Sequence, residues 1–187
     1  GRLQQVRVDD IDGLDERPDL FIELAVAGAG AAAHALARTY PEGRAHFIDA
    51  MNKKARNLGM RHTVFEDPTG LSSNNRSTAE DLAKLVHAAS NYPQIRAITT
   101  TGKYGISQTA SVRTGKKNKT QWRNVVRRVE FRNTNRLVSD KNWDIGISKT
   151  GFINEAGHCL VMQTNIAQQR VIIVILDAIG SYARLAD

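Results

Sequence analysis

The sequence contains one cysteine, Cys159, among 187 residues, which excludes a disulfide bond within the chain. This count leaves the redox environment open. Cys159 sits in an apolar run, and we expect a small buried hydrophobe there, not a nucleophile. No apolar run approaches the roughly 20 residues that a membrane-spanning helix needs, and no charged and then apolar leader precedes the first predicted helix. The sequence therefore predicts neither a transmembrane segment nor a signal peptide within this chain.

Patterns typical of metal sites are also lacking. No two of the five histidines have the spacing of zinc ligands on one predicted face with a carboxylate partner. We therefore expect no metal and no cofactor. His158 is expected to be a hydrogen-bonded structural residue at a strand start, with a catalytic role as the alternative. The histidines are His34, His46, His62, His87 and His158.

The composition is that of a globular protein, with 41% hydrophobic and 24% charged residues. The length is sufficient for one sizeable core, so we predict a single domain over residues 1–187. Residues 1–30 include the run AVAGAGAAA and are of uncertain character.

Three helices are predicted. The first covers residues 21–37, which are rich in Ala and Leu. The second covers residues 43–58, whose apolar positions fall on one face. The third runs to Ala89 from a capping box, in which Ser77 accepts a hydrogen bond from the N–H of Glu80 and the Glu80 side chain returns to the N–H of Ser77.

Three strands are predicted to follow. Residues 143–147 alternate between apolar and polar or small side chains, which is typical of a half-buried strand. This strand leads into a Lys-Thr-Gly triplet at residues 149–151. Residues 159–166 and 171–176 are predicted to form two more strands, joined by a polar turn at residues 167–170. The expected product is three consecutive antiparallel strands with the triplet on the first.

The triplet has the composition of a peptide-binding element. Lys149 would supply a positive charge for a substrate carboxylate, and Thr150 a hydroxyl donor beside it. Gly151 has no Cβ, so a ligand backbone can come close. An exposed strand edge would also let an extended peptide join as an additional strand. The alternative is a plain strand end with a solvated Lys, a Thr of high β propensity and a turn Gly.

A strongly basic segment lies between the helices and the triplet. It contains nine basic residues and one acid, Glu130, in a chain of net charge +7. One interpretation is attraction to an anionic polymer, and the other is a solvated hairpin. Only Trp122 and Phe131 could stack on a base there, so we expect no nucleic-acid partner. The basic residues are Arg113, Lys116, Lys117, Lys119, Arg123, Arg127, Arg128, Arg132 and Arg136.

Over residues 32–187 the sequence resembles the low-molecular-mass penicillin-binding proteins, the D-alanyl-D-alanine carboxypeptidase and endopeptidase family, and most closely its endopeptidase branch. Five blocks in the family's order carry the resemblance. They are YPEG from Tyr40, FIDAMNKKARNLGM from Phe47, DPTGLSSNNRSTAEDLAKL from Asp67, FRNTNRLV from Phe131 and KTGFINEAGHCLVM from Lys149.

The resemblance implies an α/β fold of the α+β type, with an antiparallel sheet packed against helices, as in penicillin-recognising serine peptidases and β-lactamases. It implies a serine D,D-peptidase of peptidoglycan that works through an acyl-enzyme, with Lys149, Thr150 and Gly151 binding the substrate. Peptidoglycan peptides and, for the intact parent, β-lactams are the expected partners. The expected location is periplasmic or extracytoplasmic.

The other two motifs of that family are missing. None of the nine serines has Lys three residues later, so no catalytic residue is identifiable. The segment Gly28-Ala29-Gly30 stands where the family has Ser-x-Asn, and neither glycine has a side chain to offer. Ser72-x-Asn74 and Ser73-x-Asn75 match those letters, but we expect turn and capping roles after the turn at Asp67.

We expect the chain to be incomplete at both ends and catalytically incompetent as written. A truncation, an engineered chain or a pseudoenzyme would each have this sequence. The alternative function is that of a non-catalytic protein that binds cell-wall peptide or polymer.

Overall fold

A computed structural model describes residues 30–114 and 121–180 of the chain. Four α-helices come first, and a long hairpin and a three-stranded sheet follow. The helices are α1 (Gly30–Thr39), α2 (Arg44–Asn57), α3 (Ala79–Ala89) and α4 (Pro93–Thr99). The strands are β1 (Lys103–Thr114), β2 (Gln121–Arg132), β3 (Asp144–Ile153), β4 (Gly157–Ile166) and β5 (Gln169–Ala178), with a 3₁₀ helix at Arg136–Ser139.

The helices form where their apolar faces can be buried. Phe47, Met51 and Ala55 lie on one face of α2 and are all buried. Together with Leu82 of α3 they belong to the main core cluster, which also contains Ala37, Met60 and Phe65. Val161, Val174 and Leu176 of the sheet pack against this cluster. The helices therefore cover one face of the three-stranded sheet.

The predicted helices differ from the observed ones at their ends. The second is confirmed almost to the residue, whereas the first ends at Thr39, two residues later than predicted, and residues 21–29 lie outside the described part of the chain. Sequence analysis missed α4, which has Pro93 in its first turn, where the missing N–H of proline costs nothing.

The capping box of the third helix was predicted wrongly. Thr78 is the N-cap of α3, and its Oγ1 accepts a hydrogen bond from the N–H of Asp81 at 3.2 Å. The Ser77 hydroxyl is instead buried within 2.8 Å of Thr63 Oγ1. The Glu80 carboxylate pairs with Lys84 Nζ at 3.0 Å, not with the backbone. Burial of the Ser77 hydroxyl in a polar cluster moved the cap by one residue.

The prediction of three consecutive antiparallel strands is confirmed, in the order β3-β4-β5. The predicted four-residue turn before β5 is tighter than expected, since Ala167 and Gln168 both have positive φ in a two-residue hairpin loop. Between β3 and β4 the chain turns at Ile153 and enters β4 through Gly157, whose φ is +62°. A Cβ there would lie 2.6 Å from Asp177 Oδ1, so this position requires glycine.

Strands β1 and β2 form a separate two-stranded antiparallel sheet, paired from Lys103↔Arg132 to Thr114↔Gln121. The hairpin thus spans most of the predicted basic segment. No helix in the described residues is long and apolar enough to cross a membrane.

Candidate substrate-binding strand

The Lys-Thr-Gly triplet lies in the second half of β3. This strand pairs with β4 on one side, through Lys149↔Val161, Thr150↔Leu160 and Gly151↔Cys159. Its other side is paired with no strand among residues 30–114 and 121–180. The triplet therefore sits on the edge strand of the described sheet, where a peptide backbone can be added.

The three side-chain positions do not share one face of the sheet. Val161, opposite Lys149, packs against the helical core, and side chains alternate along a strand. Lys149 and Gly151 therefore belong to the helix-covered face, and Thr150 to the opposite face. Lys149 is half-buried, and its Nζ donates a hydrogen bond to the carbonyl of Thr150. This contact holds the amine close to the strand edge.

The hydroxyl of Thr150 is held by a neighbouring loop. Its Oγ1 lies 2.5 Å from Thr134 Oγ1, and the two hydroxyls share one hydrogen bond. Thr150 is 8% exposed, whereas Thr134 is exposed. A hydroxyl donates once and accepts twice, so the pair retains capacity for a ligand hydrogen bond.

Two asparagines in the same loop fix its position. Asn135 is fully buried; its Nδ2 donates to Ser148 Oγ at 2.8 Å, and its Oδ1 accepts from the N–H of Leu137 at 3.1 Å. Asn133 donates through Nδ2 to the carbonyls of Thr99 and Thr101, at 3.0 and 3.2 Å. The loop is thereby tied to β3 at one end and to the segment after α4 at the other.

The stretch around Asp67 has structural roles, as predicted. Asp67 Oδ2 accepts hydrogen bonds from the N–H and the hydroxyl of Thr69 and from the N–H of Leu71. Burial raises the pKa of Asp67, but these hydrogen bonds outweigh it and hold the pKa below its ordinary value. Asn75 is buried and accepts from the N–H groups of Glu66 and Asp67. The Ser-x-Asn letters here stabilise a turn, and Gly28 and Ala29, where the family's motif would stand, lie outside the described residues.

A buried carboxylate lies between α3 and the segment before it. Asp81 is 1% exposed, and it accepts from the N–H of His62 at 2.7 Å, from Thr63 Oγ1 at 2.9 Å and from Lys84 Nζ at 3.1 Å. Desolvation raises its pKa, but these donors outweigh burial, and the pKa of Asp81 lies below its ordinary value. The hydrogen bond to Glu80, and then that to Asp81, raises the pKa of Lys84.

His158 is the second residue of β4 and lies opposite Phe152 on β3. The two rings stack with centroids 4.4 Å apart, and Phe152 is 53% exposed. The ring of His158 makes no hydrogen bond to another described residue, so stacking takes the place of the predicted hydrogen bond. Cys159 is 6% exposed, as predicted, and its Sγ contacts the carbonyl of Ala156 at 3.3 Å. No cluster of three His, Cys, Asp or Glu side chains occurs in the part of the chain that the structure describes.

The sequence profile of the D-alanyl-D-alanine carboxypeptidase family matches residues 12–180. The chain belongs to this family. It is 43% identical over 171 residues to the D-alanyl-D-alanine endopeptidase of Escherichia coli K12, and 41% identical over 171 residues to that of Pseudomonas aeruginosa. Each match covers 91% of this chain and 51% of the relative, so the chain spans about half the length of these relatives.

Solved structures of penicillin-recognising enzymes share the fold. The Streptomyces K15 DD-transpeptidase has a TM-score of 0.72 at 29% identity, covering 90% of this chain and 63% of that one. Penicillin-binding protein D2 of Listeria monocytogenes, with cefotaxime bound, has a TM-score of 0.69 at 26% identity, covering 100% and 73%. The predicted family resemblance and fold class are confirmed.

Within this member of the D-alanyl-D-alanine carboxypeptidase family, sequence analysis missed the roles of Thr134, Asn133 and Asn135. Two asparagines separated by one residue are a signal for side chains that cap local turns. That signal was present in the block FRNTNRLV, which was used only for its resemblance. The contact with β3, 16 residues away from Thr134, depends on how the chain folds back.

Proposed function

We propose that the intact protein is a serine D,D-peptidase that cleaves D-alanyl-D-alanine-type peptides of peptidoglycan outside the cytoplasm. In this proposal the described chain contributes the substrate-binding strand. The observation that carries it is the position of Lys149, Thr150 and Gly151 on an edge strand whose hydroxyl side is fixed by the Thr134 contact. Endopeptidase activity is favoured over carboxypeptidase activity because the two relatives above 40% identity are named endopeptidases.

The chemistry assigns a separate task to each group. The extended substrate pairs with the open edge of β3 through backbone hydrogen bonds. The Lys149 ammonium attracts the terminal carboxylate, and the Thr150 hydroxyl, shared with Thr134, donates or accepts beside it. A seryl nucleophile would then form the acyl-enzyme and release the C-terminal part of the peptide. No Ser-x-x-Lys is present in these 187 residues, so that step needs a residue that this chain does not supply.

The binding step is testable with the chain itself. Isothermal titration calorimetry would measure its affinity for a soluble peptide ending in D-Ala-D-Ala, as the free acid and as the C-terminal amide. We expect Lys149→Ala to weaken binding of the acid by about 10-fold or more, because a charge-assisted hydrogen bond contributes about 1.5–3 kcal/mol. The amide should bind weakly to both proteins.

Lys141→Ala is the matched control, since Lys141 is an exposed lysine in the turn before β3. This variant should bind like the unmodified chain. Equal affinity of the Lys149→Ala variant and the unmodified chain for the acid would contradict the proposed role of Lys149. Failure of the unmodified chain to bind either peptide would contradict the assignment of the substrate strand to this part of the protein.

The second candidate function is that of a non-catalytic protein that holds cell-wall peptides. The specific observation in its favour is the absence of lysine three residues after any of the nine serines. Both candidates predict peptide binding at Lys149, and only the first predicts covalent reaction with a β-lactam in the intact protein.

A further inference from the structure

The β1–β2 hairpin is a long arm that starts beside the candidate site. Each strand has 12 residues, which at about 3.4 Å per residue gives an arm of about 40 Å. Strand β2 ends at Arg132, directly before the loop whose Thr134 contacts Thr150 of the triplet strand. The base of the arm is therefore fixed to β3.

The arm carries arginines without acidic partners. Arg123, Arg127 and Arg128 are all exposed, and none forms an ion pair with another described residue. Glu130, the only acid from residue 113 to residue 136, is occupied by Arg132 at 3.0 Å. The three arginines therefore keep their full charge and all their donors available to a ligand.

The arginines are spread along both faces of the arm. Arg123 and Arg127 pair with Val112 and Gln108 and share one face, whereas Arg128 pairs with Ser107 on the other. A Cβ at Gly105 would lie 3.1 Å from Arg128 Nε, so the guanidinium extends across the surface of the hairpin. From Arg128 to Arg123 the strand rises about 17 Å, so the positive charge is a line, not a point.

We propose that this hairpin is an electrostatic docking arm for the carboxylate-bearing stem peptides of peptidoglycan. It would hold stems that neighbour the one bound at β3, and it thus rests on the function proposed above. The argument is charge complementarity: every stem that ends in D-alanine has a free carboxylate, and guanidinium groups bind carboxylates through two parallel hydrogen bonds. A polymer with repeated carboxylates matches a line of unpaired arginines.

The aromatic residues of the arm favour this partner over a nucleic acid. Tyr104 and Phe131 lie opposite each other in the register and are both half-buried. Single-stranded nucleic acids are held by bases that stack on exposed aromatic rings. Neither of these two rings is exposed enough to offer such a platform.

The experiment is co-sedimentation of the chain with insoluble peptidoglycan sacculi. We expect the triple variant Arg123→Gln, Arg127→Gln and Arg128→Gln to raise the apparent Kd about 10-fold at about 0.1 M salt. At about 1 M salt, where the Debye length falls to about 3 Å, the two proteins should differ less than 2-fold. Sacculi whose carboxylates have been amidated should bind both proteins equally weakly.

A matched control removes the same charge elsewhere, through Arg56→Gln, Arg61→Gln and Arg170→Gln, three exposed arginines outside the hairpin. It should bind sacculi within 2-fold of the unmodified chain. Circular dichroism would establish that both triple variants are folded, and a hairpin variant with lysines in place of arginines should keep most of the affinity, because it keeps the charge.

Three outcomes would overturn the docking arm: equal loss in both triple variants, no effect of amidation, or tighter and equally arginine-dependent binding to double-stranded DNA. The failure of the function proposed above looks different. In that case the soluble D-Ala-D-Ala peptide does not bind, whereas hairpin-dependent binding to sacculi is measured independently of it.

Discussion

Replacement of Asn135 by alanine should destabilise the protein through a single buried side chain. Asn135 is 0% exposed, and its amide joins Ser148 of β3 to the N–H of Leu137. The substitution removes two hydrogen bonds worth about 1 kcal/mol each, and it leaves a buried hydroxyl and a buried N–H whose desolvation adds to the loss. We expect the free energy of unfolding to fall by about 2–4 kcal/mol, a large part of the 5–15 kcal/mol typical of a domain.

The assay is urea unfolding followed by tryptophan fluorescence, because Trp143 lies one residue before β3 and reports on this region. Circular dichroism serves as the second probe and tests whether the transition is two-state. The matched control is Asn124→Ala on the hairpin, where Asn124 Oδ1 also accepts a hydrogen bond, from Ser111 Oγ at 2.8 Å, but is exposed. It should change stability by less than about 0.5 kcal/mol. A loss below about 1 kcal/mol for Asn135→Ala would refute the argument that this side chain anchors the loop to β3.

Two further predictions concern acid stability and the missing nucleophile. Because the pKa of Asp81 is lowered on folding, its contribution to stability is complete above the ordinary carboxyl pKa of about 4 and is lost as the pH falls through the lower, folded-state pKa. The Tm difference between the unmodified chain and Asp81→Asn should therefore be large at about pH 7 and shrink towards about pH 3, and a difference independent of pH would contradict this account. Incubation of the chain with a labelled β-lactam should leave its intact mass unchanged, since no serine has lysine three residues later, and an adduct on any serine would show that prediction to be wrong.

Much of the fold could be predicted from local patterns. The period-2 alternation before Lys149 predicted a strand, and β3 runs from Asp144 to Ile153. The apolar face of residues 43–58 predicted a helix, and α2 covers Arg44–Asn57. In both cases the burial that stabilises the element requires the same spacing that is visible in the sequence.

The errors occur where side chains from distant segments meet. Ser77 has the sequence signature of an N-cap, but its hydroxyl is buried beside Thr63, so Thr78 caps the helix. Competition between two hydrogen-bond partners is decided by which one is buried, because an unpaired buried hydroxyl costs more than an exposed one. Such a choice is not visible in the four residues of a capping box.

The candidate site divides in the same way. The sequence by itself determined the family, the order of the strands and the presence of Lys149, Thr150 and Gly151 on one of them, because these depend on residue types at fixed local spacing. Only the tertiary structure decided that this strand lies at a sheet edge, and that Thr134 and Asn135 hold its far face. Contacts between segments far apart in the chain depend on loop closure and core packing, and no local pattern of residues encodes them.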